Sequence, residues 1–168
     1  SEELSEIPGN AFRNMPVLKQ VTLPDSVTQI GNYSFADCKN VTNIKLSDNL
    51  IKLGYGAFMN CTSIEDVEIP SNLTETGYVG TRYLEEYGRW FAGCNNLKTI
   101  SFQEGLTEIP LDAFRDICSL QTIVFPNTLS VIGIRAFAGC ISLTTMNLPN
   151  SLVTVNYPQF YGNWRTDK

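Results

Sequence analysis

Some residues in this 168-residue chain are of types that can do chemistry, and their spacing limits which chemistry is open to them. Glu65, Asp66 and Glu68 crowd three carboxylates together, and Glu85 and Glu86 follow. Paired acids hydrolyse glycosidic bonds when they face each other across a cleft. On a strand, Asp66 and Glu68 share one face with no opposing wall, so a solvated acidic patch is the better reading. The five cysteines include no CxxC pair, and histidine is absent. That absence removes Ser-His and Cys-His catalysis and every His-ligated metal site. No nucleophile–base pair can be assembled. The expectation is a protein that is not an enzyme and uses neither metal nor cofactor.

Aromatic side chains offer a different chemistry, that of contact. Tyr78, Tyr83, Tyr87 and Trp90 fall close together between Leu73 and Phe91, four of the chain's nine Tyr and Trp residues. Such side chains give large, rigid binding area, and their faces stack on sugar rings. Trp90, next to Phe91, reads as partly core. Lys plus Arg number 12 against 17 Asp plus Glu, a net charge of −5. A chain of this sign does not favour nucleic acid or anionic lipid. No apolar run approaches the roughly 18 residues of a membrane helix, so no direct membrane insertion is expected.

What positions these groups emerges from the phenylalanines. Phe12, Phe35 and Phe58 lie 23 apart, as do Phe91, Phe114, Phe137 and Phe160. The step from Phe58 to Phe91 is 33, one period plus ten inserted residues at about 76–88. Other positions keep phase. Ile7, Ile30, Leu53, Ile109, Ile132 and Val155 stand five before the Phe. Cys38, Cys61, Cys94 and Cys140 stand three after it, and Leu18, Val41, Ile64, Leu97, Leu120 and Leu143 six after. A stretch of alternating apolar residues then ends in Pro24, Pro70, Pro126 or Pro149, with Ser47 and Gln103 as departures.

Each period reads as one supersecondary unit. The alternating stretch is a half-buried strand that proline ends. The apolar residue before Gly or Pro marks a second short extended piece. Phe with apolar residues at three and six further on predicts a helical turn facing inward. One unit buries too little to offset ordering its backbone, so the units must stack. Four cysteines then form an inward column of small buried hydrophobes with free thiols. Parallel Cβ atoms about 4.8 Å apart suit no disulfide. Cys118 is one place out of register and is expected to differ.

The motif I-G-x-x-A-F-x-x-C-x-x-L-x-x-I-x-L-P resembles the 23-residue leucine-rich repeat of BspA-like, Treponema pallidum-type bacterial surface proteins, from about Leu4 to Phe160. The resemblance implies a right-handed solenoid of about seven coils, each with strand, short extended piece and helical turn, a mixed β/α fold on a parallel sheet. Residues 1–168 read as one domain, a fragment of a longer chain starting and stopping inside a repeat, with Tyr161 to Lys168 a weak candidate cap. For function, the resemblance implies an extracellular or cell-surface adhesin that contacts host extracellular-matrix or other surface proteins.

Two surfaces are candidates for contact. One is the outward ladder of the strands: Gln20, Thr22, Asn43, Lys45, Asp66, Glu68, Thr99, Ser101, Thr122, Val124, Thr145 and Asn147. The other is the insertion with Tyr78, Tyr83 and Tyr87. A carbohydrate-binding module using that insertion, or a structural spacer, remains open beside the adhesin reading.

Overall fold

The computed structural model describes residues 3–76, 78–81 and 84–156, with the inserted residues 76–87 described by backbone alone. Each of the first five repeats supplies the two extended pieces that its apolar alternation demands. The longer ones are β2 (Gln20–Thr22), β4 (Asn43–Lys45), β6 (Asp66–Ile69), β10 (Thr99–Phe102) and β12 (Thr122–Val124). The shorter ones are β1 (Glu6–Ile7), β3 (Gln29–Ile30), β5 (Lys52–Leu53), β7 (Glu75–Thr76), β11 (Glu108–Ile109), β13 (Val131–Ile132) and β14 (Thr154–Val155). Pairing between coils is parallel and follows the repeat, as in Glu6↔Gln29 and Thr99↔Thr122. The insertion adds β8 (Tyr78–Thr81) and β9 (Leu84–Tyr87), an antiparallel pair. Phe rings run through the core as a stacked column, their centroids 5.1–5.5 Å apart except for one step of 6.4 Å.

Three expectations are met only in part. First, no helix occurs among the described residues, so the structure is a parallel β-solenoid and not a mixed β/α one. The segment around each Phe is a pair of overlapping turns with a left-handed residue two before and two after the ring. These are Asn10 and Asn14, Tyr33 and Asp37, Gly56 and Asn60, Arg89 and Gly93, Asp112 and Asp116, and Arg135 and Gly139. A helix requires consecutive right-handed residues, and this alternation forbids it. It turns amides along the stack instead. The N–H groups of Tyr33, Phe35 and Asp37 donate to the carbonyls of Tyr55, Ala57 and Met59 at 2.8–2.9 Å. The spacing of three that suggested a helical face arises from turns.

Second, six coils carry the described Phe column, Phe12 to Phe137. Of the seventh, β14 is described, while Phe160 and the Tyr161–Lys168 segment lie outside the described residues. Third, Thr145 and Asn147 are exposed but belong to no strand. No described coil beyond the sixth covers their apolar neighbours, and Leu148 is 49% exposed.

The two sheets are interrupted at different places. On the short-strand side, β1-β3-β5-β7 and β11-β13-β14 are separate, and the β8–β9 hairpin falls between them in sequence. On the long-strand side, β2-β4 is separate from β12-β10-β6. The departures from proline serve that second break. Ser47 is fully buried and its Oγ accepts the Asn49 N–H at 3.1 Å. Gln103 donates its backbone N–H to the Ile69 carbonyl, which proline could not do, and its Nε2 reaches back to Asp48 Oδ1 at 2.9 Å.

Trp90 sits inside the stack beside the first break. In regular coils the carbonyl five before the Phe accepts a backbone N–H from the next coil: Ile7 from Gly31, Ile30 from Gly54, Ile109 from Gly133. At Leu53 the Trp90 indole N–H donates to the carbonyl at 2.8 Å, from a fully buried position. A buried carbonyl left without a donor would be costly. The same ring meets Phe114 edge-on at 5.3 Å and accompanies the widened step of 6.4 Å between Phe91 and Phe114. There the turn ladder slips by one residue, Arg89 and Trp90 pairing with Asp112 and Ala113. Gly88 makes the close approach possible, since a Cβ on it would lie 2.5 Å from the Asp112 carbonyl oxygen.

Candidate functional site

The outward ladder splits into regions of different quality. The continuous β6-β10-β12 sheet sets Asp66 beside Thr99 and Thr99 beside Thr122, with Glu68, Ser101 and Val124 forming a second row. None of these six side chains makes a hydrogen bond or ion pair among the described residues. Val124 is 52% exposed. Beside them Lys98 and Glu65 pair at 3.7 Å, both largely in solvent. Gln20, Thr22, Asn43 and Lys45 lie on the separate β2-β4 pair, where Gln20 Nε2 donates to Thr22 Oγ1 at 3.2 Å. Thr145 and Asn147 are not brought into the sheet.

At the insertion, register places Tyr78 directly opposite Tyr87 across the β8–β9 pair. Tyr83 lies outside the described residues. Trp90, read from sequence as partly core, is wholly so and offers no contact surface.

The cysteines separate as their register predicts. Cys38, Cys61, Cys94 and Cys140 are buried, and Cys118 is exposed while Ile117 takes the inward place. Each buried thiol donates to the carbonyl of the Phe one coil back, as Cys61 does to Phe35 at 3.1 Å. Burial pushes the thiols of Cys94 and Cys140 up to about 12, and Cys61 higher still, so they are neutral and unreactive.

A network on the turn edge escaped the sequence reading. Asp112, whose side chain is 2% exposed, accepts two bonds from Arg135, at 2.6 and 2.9 Å. Arg115 bridges from Asp112 to Asp116, each at 3.5 Å, and Arg89 reaches Asp116 at 2.9 Å. The available signal was the 23-residue separation of Asp112 and Arg135, both two before a Phe. At the other end of the edge Arg13 sits over the Tyr33 ring at 5.3 Å. The Asn60 amide, with Arg13 beside it, holds the Asp37 carboxyl below its ordinary range. The arrangement is one of ion pairs and surfaces. Among the described residues no cluster of ligating side chains could hold a metal.

A stack of short parallel strands, turns and inward Leu, Phe and Cys columns defines a leucine-rich-repeat solenoid. Within that class the chain belongs to the BspA type leucine rich repeat region family, matching six copies over residues 1–79 and 81–167. Solved structures share its fold. A leucine-rich repeat protein from Eubacterium ventriosum superposes with TM-score 0.61 at 22% identity, over 87% of this chain and 43% of the other. One from Bacteroides ovatus gives 0.56 at 21%, over 90% and 48%. A T. pallidum leucine rich repeat protein gives 0.50 at 21%, over 84% and 72%. The chain thus spans less than half the length of the first two. No curated protein matches it.

Proposed function

We propose that this chain is a non-catalytic protein-binding module of an extracellular or cell-surface protein, an adhesin that contacts host extracellular proteins. The observation that carries the reading is the β6-β10-β12 sheet, which holds Asp66, Glu68, Thr99, Ser101, Thr122 and Val124 in fixed register with their side chains uncommitted. A rigid backbone under polar groups and one apolar group loses little order on binding. Repeat solenoids use extended surfaces of this kind for protein contact. Tyr78, Tyr83 and Tyr87 in the insertion supply a side contact.

The test is a binding screen against immobilised host matrix proteins with three chains: wild type, Thr99→Arg, and the Tyr78, Tyr83 and Tyr87 to Ala triple variant. Saturable binding by the wild type, weakened at least about tenfold, or 1.4 kcal/mol, by Thr99→Arg is the expected result. Loss in the triple variant alone moves the contact to the insertion. Binding to glycans only, or to nothing, overturns the reading in favour of a carbohydrate module or a spacer.

A further inference from the structure

On the short-strand side, coils one to three enclose an open cavity of about 390 Å³. The β1-β3-β5 register places Glu6, Gln29 and Lys52 in a row along one side. Asn10 and Asn32, at the start of the turns, form the other side, over Gly9 and Gly31. Stacking requires glycine at position 31, where a Cβ would lie 2.4 Å from the Gly9 nitrogen. That requirement leaves a floor of bare backbone between two polar walls. Nothing in the fold employs the row. Glu6, Gln29 and Lys52 make no side-chain hydrogen bond or ion pair among the described residues. Lys52 even forgoes its register partner, the exposed acid Glu75.

We infer that this trough is a binding site for a neutral, hydroxyl-rich ligand, a short oligosaccharide. Four features select that class. The size falls within the ~300–1,000 Å³ range of ligand sites. One carboxylate and one ammonium stand two coils apart, about 10 Å, and cancel, so no net ligand charge is favoured. Between them the carboxamide of Gln29 offers donor and acceptor together, the pairing that adjacent hydroxyls need, and on the facing wall Asn10, whose Oδ1 accepts from Arg13 at 3.5 Å, adds amide donors. Asn32 is held in place because its Oδ1 accepts the Tyr55 N–H at 2.8 Å. An extended peptide is disfavoured. β3 and β5 are each paired on both edges, so between Glu6 and Lys52 the trough floor has no free backbone edge for strand addition. The site is separate from the long-strand face and from the insertion, so its fate is independent of the protein-contact reading. With no aromatic platform in the lining, affinity falls in the millimolar range.

The experiment is an amide-resolved NMR titration of the isotope-labelled chain. The neutral probes are lactose, N,N′-diacetylchitobiose and mannobiose. Sialyllactose is the acidic control, and the tetrapeptide Ser-Asn-Gly-Thr is the peptide control. The result expected is saturable shifts at Gly9, Asn10, Gly31 and Asn32 with at least one neutral probe. Those shifts should weaken at least about tenfold in Gln29→Ala and in Lys52→Ala, variants whose exposed or half-buried positions leave the fold intact by circular dichroism. The inference is overturned by silence of all neutral probes, by shifts confined to the insertion, by binding of the peptide or sialyllactose alone, or by undiminished binding in both folded variants.

Discussion

Two junctions in the stack are imperfect, and they are mended in different ways. Between coils two and three the long-strand ladder is absent, while β3, β5 and β7 run through on the other side. Gln103 ties that gap by a side chain that reaches Asp48 across coil three. Between coils four and five the short-strand ladder stops at the insertion, while β10 and β12 remain paired over three residues. There the tie is internal: Trp90 packs edge-on against Phe114 of coil five, and its indole reaches back to the Leu53 carbonyl of coil three. Neighbouring coils are joined by two sheets, a turn ladder and a ring column, so one connection can lapse where the others persist. A polar tie at the surface and an aromatic tie in the core do not carry equal weight, and that difference can be measured.

The core tie is expected to matter most. Trp90→Ala removes a fully buried ring and should cost about 3–5 kcal/mol in denaturant unfolding. Trp90→Phe keeps most of the volume but removes the buried bond to the Leu53 carbonyl, for about 1–3 kcal/mol. Gln103→Ala, acting at the half-buried surface, should stay within about 1 kcal/mol. If Trp90→Phe costs no more than Gln103→Ala, the indole is filling space and the comparison between the two ties fails.

Next comes the turn edge just beyond the Trp90 junction. Arg135→Ala leaves the buried Asp112 carboxylate with Arg115 alone, at 3.5 Å, and should cost about 2–3 kcal/mol. In an Asp112→Asn background, where no buried charge needs a partner, the same change should cost under about 1 kcal/mol. A double-mutant cycle by urea unfolding measures the difference. Additive costs would mean that the pair adds nothing specific to this junction.

The repeat was legible because its causes are local and periodic. Ile7, Ile30 and Leu53 announce one strand, and Val67–Ile69 the other. The turn conformation was legible too, but in a column that the apolar pattern hides. Two after each Phe stand Asn14, Asp37, Asn60, Gly93, Asp116 and Gly139, types that tolerate left-handed backbone. Reading Phe, Cys and Leu at steps of three as a helical face ignored that column. At two before the Phe, Tyr33, Arg89 and Arg135 adopt the same conformation with no such preference, so tertiary pairing overrides local tendency there. Trp90 reads from sequence as partly core, yet its role includes a bond to a carbonyl 37 residues away, which no local pattern reveals. On the candidate faces, the sequence identified which residues point outward. It did not show that coil six leaves the sheet, nor that Glu6, Gln29 and Lys52 flank a trough, because both follow from which coils lie next to which.

The smallest effects are expected among the cysteines, where coil five differs from its neighbours. Cys61→Ala loses the bond to the Phe35 carbonyl and should cost about 1 kcal/mol. Cys118→Ala, at an exposed position, should stay within about 0.5 kcal/mol. In the native state a thiol reagent should modify Cys118 alone, and full reactivity should appear only on unfolding. The pH dependence has a definite sign. Burial raises Cys94 and Cys140 from 9.0 to about 12, so the folded state keeps protons that the unfolded chain gives up. Their contribution to stability is complete below pH 9.0 and is lost progressively as pH rises toward about 12. Replacing both with Ala should flatten that alkaline decline, whereas Cys118→Ala should leave it unchanged. An equal response from the two variants would place the alkaline sensitivity outside the column, and would reduce the S–H bonds along it to a consequence of packing.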